Sequence, residues 1–177
     1  MKPAHLRIRP RLGDLVEVPT AKGLAYLHHT HYCETYGHFI RAIEGLHSQR
    51  PDDLEVLIHQ PTLFWRFFRL GLACWQRLVK IVASFPVPEE FRPVPPMRTT
   101  SGHDAYGYPR AWALLHNGRR IDLGEDLTEE EQRLSWLLIT SWEGLLYDLE
   151  EQMRPEKEYQ LLQRRRAARA RGEDLEQ

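Results

Sequence analysis

Four histidines and one cysteine lie close together in the first quarter of the chain: His28, His29, His31, Cys33 and His38. Imidazole nitrogen and thiolate sulfur are common ligands of zinc in proteins. Because side chains alternate along a strand, a strand over residues 24–32 would place His29, His31 and Cys33 on one face, as a candidate metal site. The spacing matches no established zinc motif. The favoured alternative is therefore a set of polar side chains on a half-exposed strand face, with no cofactor.

The two cysteines, Cys33 and Cys74, are the candidate nucleophiles. A thiolate forms at neutral pH only beside a base or a cation. Cys74 lies in an apolar segment, which indicates an inert thiol, and no GxSxG, HExxH or glycine-rich phosphate loop accompanies Cys33. The sequence therefore favours a protein that is not an enzyme, with two free thiols that suit a reducing compartment.

Arginines near the end of the chain form a second candidate site, made of Arg164, Arg165, Arg166 and Arg169. Such a cluster can follow the phosphates of a nucleic acid. Residues 125–151, however, carry nine acids and one base, so the arginines have acidic neighbours in sequence that repel nucleic acid or pair with them. A solvated or self-paired tail is the favoured alternative.

Tyrosines in turn-rich segments are the candidate anchors for a protein partner: Tyr32, Tyr36, Tyr106 and Tyr108. Tyrosine is among the residues that contribute most to protein interfaces. The alternative is that these side chains only cover the edges of a sheet.

The elements that position these residues begin with a β-hairpin. Alternating apolar residues over 15–18 end at Pro19, a turn follows at 20–23, and a second strand runs over 24–32. A third strand over 38–43 completes an antiparallel meander. Further strands are predicted over 63–68 and 78–85, with a short helix from Pro51 and an extended, proline-rich connection over 86–96.

In the second half of the chain, Asn117-Gly118 predicts a hairpin between strands at 111–116 and 119–123. Thr128 and Glu131 form a capping-box pattern that opens a helix, and apolar residues over 134–149 continue a helical stripe. Gly144 and the β-branched residues near 139–140 are the places where this stripe can break. The stretch 159–170 can form a helix but is too polar for a core.

Size and composition place these elements in one domain. The chain has 177 residues and a net charge of −1, which gives no overall preference for nucleic acid or membranes. No stretch has the apolar length of a secretory signal or a membrane span, so a cytoplasmic protein is expected. The prediction is a single α+β domain over 1–153, an antiparallel small barrel or twisted sheet with a few helices, and a charged helical or flexible tail over 154–177. A C-terminal helix is included.

The first strands also resemble a known family. The segments GDLVEVP (13–19), GLAY (23–26), TH (30–31) and GHFIR (37–41) look like the opening of the immunity protein 26 family. The resemblance implies a compact, β-rich, non-catalytic bacterial protein whose surface masks a toxin partner. The leading expectation is therefore a protein-binding module of immunity type. A nucleic-acid-associated protein and a metal-dependent enzyme are the alternatives.

Overall fold

The structure is a computed structural model that describes residues 9–172. Within this range the chain forms two compact units, each built from two stretches of sequence. Unit 1 comprises residues 9–94 and 138–153, and unit 2 comprises residues 95–137 and 154–172. The predicted division into a domain over 1–153 and a tail over 154–177 stays a prediction.

The described chain contains nine strands and five α-helices. The strands are β1 (Asp14–Thr20), β2 (Gly23–Cys33), β3 (Gly37–Ile43), β4 (Thr62–Phe68), β5 (Lys80–Ser84), β6 (Met97–Thr100), β7 (Trp112–His116), β8 (Arg119–Gly124) and β9 (Ile139–Thr140). The helices are α1 (Glu55–Ile58), α2 (Leu70–Trp75), α3 (Glu129–Gln132), α4 (Trp142–Glu150) and α5 (Pro155–Ala170). One 3₁₀ turn, Glu89–Phe91, lies in the proline-rich connection.

Unit 1 is built on a mixed sheet of strand order β5-β1-β2-β3-β4-β9. The predicted meander is confirmed, because β1, β2 and β3 pair antiparallel in sequence order. Successive apolar residues of its strands point to opposite faces, so both faces of this sheet are apolar. One face packs Val16, Leu27 and Ile40 against α2 and α4, and the other carries Tyr26 and Leu57 in a smaller cluster.

Unit 2 is built on an antiparallel sheet of order β6-β7-β8 with α3 and α5. Asn117 and Gly118 both have positive φ, as a tight turn between two strands requires, and the predicted hairpin forms. The capping box of Thr128 and Glu131 is confirmed. Tyr159 of α5 packs with Trp112 in the core of this unit. The expectation that 159–170 is too polar to join a core is therefore wrong at Tyr159.

The α+β class and the C-terminal helix are confirmed, and within residues 9–172 neither sheet closes into a barrel. The helical stripe over 134–149 is broken at residues 139–140, one of the two places where the sequence indicates a break. The chain leaves α3 after Gln132, and the two residues of β9 pair parallel with the edge of β4 before α4 begins. Backbone groups at that edge need partners, and Leu138 supplies one by accepting a hydrogen bond from the Phe67 N–H at 2.9 Å. Pairing at a sheet edge thus overrides the helical apolar spacing.

Candidate functional site

Helix α2 follows β4 directly and turns two apolar side chains to the surface of unit 1. Its buried residues Leu70, Ala73 and Cys74 fix one side of the helix against the core. Helical geometry then directs Leu72 and Trp75 outward, three residues apart on the opposite side. Leu72 is 43% exposed and Trp75 is 67% exposed, so unit 1 presents a large aromatic side chain to solvent.

A cavity of about 360 Å³ opens beside Leu72, between α2, β9 and the start of α4. Its walls include Phe68, Leu72, Leu78 and Trp142, which are apolar. Of the described residues that line it, Arg69 alone carries a charge, and its side chain is exposed. The cavity therefore combines an apolar interior with one cation.

Short-range contacts hold the far wall of this cavity in place. Ser141 caps α4 by accepting a hydrogen bond from the Gly144 N–H at 3.0 Å. Asp148 of α4 forms an ion pair with the buried Arg66 of β4 at 3.7 Å. Ile139 in β9 remains 55% exposed at the edge of the sheet. These contacts position an exposed aliphatic side chain opposite Leu72, across the cavity.

The exposed area continues from α2 to Tyr32 at the end of β2. The rings of Tyr32 and His38 are 5.3 Å apart in an edge-on contact. A Cβ placed on Gly71 would lie 3.6 Å from His38 Nε2, so α2 passes directly over that ring. We call the combined area the α2 surface, defined by Leu72 and Ile139, which line the cavity, and by the exposed Trp75 and Tyr32. Tyr32 is 59% exposed.

Beneath Tyr32, two histidines form a buried hydrogen-bonded pair. His29 Nδ1 lies 2.9 Å from the Arg11 carbonyl, which can only accept, so Nδ1 of neutral His29 donates. His29 Nε2 then accepts from the Nδ1–H of His38 at 3.1 Å. Burial lowers the pKa of His29, and burial followed by the charge of His29 lowers the pKa of His38 to about 4. Both rings are neutral at physiological pH.

The predicted sharing of one strand face by His29, His31 and Cys33 is wrong for the two histidines. The pairing of β2 with β3 shifts between His29 and His31, and this bulge turns the two side chains to opposite faces. The His29 ring contacts His38, whereas the His31 ring contacts Phe39, the next residue of β3. Over residues 9–172, no group of three or more His, Cys, Asp or Glu side chains is arranged to hold a metal ion.

The four predicted tyrosine anchors are distributed over both units. Tyr32 belongs to the α2 surface. Tyr36 is 46% exposed, but its ring lies 5.1 Å from Phe67, on the face of the sheet that carries Phe39. Tyr106, 66% exposed, and the half-buried Tyr108 lie in unit 2, in the loop between β6 and β7. In unit 1 the structure therefore joins Tyr32, and no other predicted anchor, to the α2 surface.

The predicted arginine cluster lies on α5 and is divided between two sides of that helix. The Arg169 guanidinium lies 5.3 Å from the centre of the Tyr106 ring. Arg166 and Arg165 lie three and four residues earlier, on the same side. Arg164 lies on the opposite side, because five residues turn the helix by about 500°.

Sequence reasoning missed Arg69, Leu72, Trp75 and Ile139. A signal existed for the pair on α2, since Leu72 and Trp75 have helical spacing and are out of phase with Leu70, Ala73 and Cys74. The sequence gives no sign of Ile139, whose position depends on the parallel pairing of β9 with β4.

Within the described residues, no helix is both long and apolar enough to cross a membrane. Comparisons of the chain with protein-family models, with curated proteins and with solved structures found no match.

Proposed function

We propose that this protein is a non-catalytic protein-binding module that holds its partner on the α2 surface. The observation that supports the proposal is the exposure of Leu72 and Ile139 at one cavity, with the exposed Trp75 three residues after Leu72 on the same helix. A tryptophan that is two-thirds exposed is unusual, and exposed apolar side chains that surround a pocket are typical of interaction sites. Tryptophan and tyrosine are also the residues that most often dominate the energy of an interface.

The lining of the cavity indicates the chemistry of the partner. Its apolar walls accommodate an aliphatic or aromatic side chain, and Arg69 at the rim attracts a carboxylate. The partner is therefore a protein segment that carries an apolar side chain beside an aspartate or glutamate. The resemblance of the first strands to the immunity protein 26 family favours a toxin as that partner, with the α2 surface masking part of it.

Site-specific photo-crosslinking in the source cell tests the proposal. A photoreactive benzoylphenylalanine in place of Trp75 is expected to yield one dominant crosslinked protein. The same residue in place of Val56 is the matched control, because Val56 is 54% exposed on α1 of the same unit, and the neighbouring Leu57 and Ile58 pack with the opposite face of the sheet. A crosslink at position 75 that is absent at position 56 is the expected result.

Two variants then test the chemistry with the captured partner. Trp75→Ala is expected to weaken binding at least tenfold, as loss of a central aromatic anchor does. Arg69→Glu is expected to weaken it further, with recovery when the partner's carboxylate is replaced by arginine. No crosslink, equal crosslinks at both positions, or a crosslink only to a second copy of this chain would each contradict the proposal.

A further inference from the structure

A compact loop in unit 2 holds an aromatic ring out into solvent. Asp104 organises this loop: its Oδ1 accepts hydrogen bonds from the backbone N–H groups of Tyr106 and Tyr108, both at 2.9 Å. The Asp104 N–H donates in turn to the Tyr108 carbonyl at 2.8 Å. With its base fixed in this way, the loop presents the Tyr106 ring 66% exposed.

Guanidinium groups from two other elements border the same loop. Arg169 of α5 places its guanidinium over the Tyr106 ring. Arg120 of β8 donates to Ser101 Oγ at 2.5 Å and to the Thr100 carbonyl at 3.2 Å, at the start of the loop. Arg166 of α5 lies one helical turn before Arg169, on the same side of the helix. Arg169 thus lies over the ring itself, while Arg120 lies at the base of the loop.

The negative charge of this region is small and already engaged. Asp104 is the only acid in residues 101–110, and its carboxylate accepts the two backbone N–H groups. The acidic helix α3 lies at the other end of α5, since Arg98 bridges the carbonyls of Gln132 and Pro155. From Pro155 to Arg169 the helix rises about 21 Å. The acids of α3 are therefore separated from Arg166 and Arg169 by most of the length of α5.

We propose that unit 2 binds single-stranded nucleic acid at this place, with a base stacked on Tyr106 and phosphates bound by Arg120, Arg166 and Arg169. We call these four residues the Tyr106 surface. An exposed aromatic ring among arginines is the arrangement that single-strand binding requires, because any base can stack on the ring while cations follow the backbone. An acidic peptide offers the charge but has no base to stack. This activity is independent of a protein partner on the α2 surface of unit 1.

Fluorescence anisotropy of the full chain with a fluorescein-labelled dT20 oligonucleotide tests the proposal. At low salt we expect saturable binding, with an affinity that falls with salt at a logarithmic slope of about −2, as three phosphate contacts predict. Tyr106→Ala is expected to weaken binding about tenfold or more, whereas Tyr106→Phe keeps the ring and the affinity.

The helix supplies a matched control for charge. Arg169→Ala and Arg164→Ala each remove one arginine from α5, but on opposite sides of it. Arg169→Ala is expected to weaken binding and to reduce the magnitude of the salt slope by about 0.7. Arg164→Ala is expected to change the affinity and the slope much less.

Three outcomes would overturn the proposal. One is the absence of binding at low salt. Another is an equal loss of affinity in the Arg164 and Arg169 variants, which indicates diffuse charge attraction. The last is a labelled polyglutamate peptide that binds as tightly as dT20 and is unaffected by Tyr106→Ala, which assigns the arginines to an acidic protein instead.

Discussion

The guanidinium carbon of Arg41 lies 3.8 Å from the centre of the Phe91 ring. Arg41 is completely buried on the sheet of unit 1, where its Nη2 donates to the carbonyls of Ile58 and Gln60 at 3.0 and 3.2 Å. Burial lowers the pKa of Arg41 to about 10, so the side chain remains charged at neutral pH. Phe91 belongs to the proline-rich connection and covers this charge.

Removing that cover is expected to destabilise unit 1. Phe91→Ala should lower the free energy of unfolding by about 1–2 kcal/mol, because a desolvated cation–π contact and the packing of the ring are lost. Phe91→Trp, which keeps an aromatic face, should retain most of the stability. Urea denaturation measures both variants. An unchanged midpoint for Phe91→Ala would mean that the ring does not stabilise the buried charge.

Stability is expected to fall as the pH is lowered from about 6.5 toward 4. Burial, with a smaller effect of the Arg41 charge, lowers the pKa of the fully buried His28 to about 4, from an ordinary value of 6.5. Between these values the unfolded chain binds a proton that the folded chain does not, so acid favours unfolding. At pH 5 His28 alone accounts for a loss of about 2 kcal/mol relative to pH 7. The His29–His38 pair acts in the same direction, since the pKa of each ring is also lowered.

Urea titrations at a series of pH values check this dependence. His28→Gln is expected to reduce the loss between pH 7 and pH 5, whatever its effect on stability at pH 7. His116→Gln is the control, because His116 is exposed at the end of β7 and its ring is solvated in both states. A pH dependence that is the same in the His28 variant and the wild type would show that His28 does not couple protonation to folding.

Local signals predicted local structure well. The hairpin of β1 and β2, the turn at Asn117-Gly118 and the capping box at Thr128 depend on residues a few positions apart, and the structure contains all three. Features that depend on distant pairing were missed. The bulge after His29 exists because of how β2 pairs with β3, and no alternation of residue types in β2 reveals it.

The candidate site depends even more on distant pairing. Leu72 and Trp75 could be recognised as outward residues of a helix, but the cavity beside Leu72 requires β9 and α4, which follow more than sixty residues later in the sequence. Likewise, the sequence shows that the arginines of α5 are clustered. Which of them lie on each side of the helix depends on the burial of Tyr159.

Glycine at position 23 is required by the close approach of two backbone segments. Gly23 has φ of +137°, and a Cβ there would lie 2.8 Å from the His47 carbonyl oxygen, which itself accepts a hydrogen bond from the Leu24 N–H. Gly23→Ala is therefore expected to cost at least about 2 kcal/mol of stability. Gly37→Ala is the matched control: φ is also positive, at +85°, but no heavy atom lies within 4 Å of the added Cβ. Equal thermal midpoints for the two variants would rule out the steric effect of His47.

The buried Arg98 is expected to be the residue on which unit 2 depends most. Its guanidinium donates to the carbonyls of Gln132 and Pro155 at 2.6 and 2.8 Å and to Glu158 Oε2 at 3.1 Å, between the rings of Trp112 and Tyr159. In Arg98→Ala these acceptors remain buried but lose their donor, which should lower the free energy of unfolding by about 3–5 kcal/mol. Arg98→Lys keeps the charge, but a single ammonium group cannot reach acceptors on separate elements, so it should recover only part of that loss.

Hydrogen exchange followed by mass spectrometry locates the effect, because peptides from β6, β7 and α5 report on unit 2 directly. These peptides should exchange faster in Arg98→Ala than in the wild type, with Arg98→Lys between the two. Arg110→Ala is the control, since this arginine is exposed in the loop before β7 and its loss should leave exchange in α5 unchanged. If Arg98→Lys proved as protected as the wild type, positive charge alone would account for the stabilisation, and the bridging of three acceptors would not be needed.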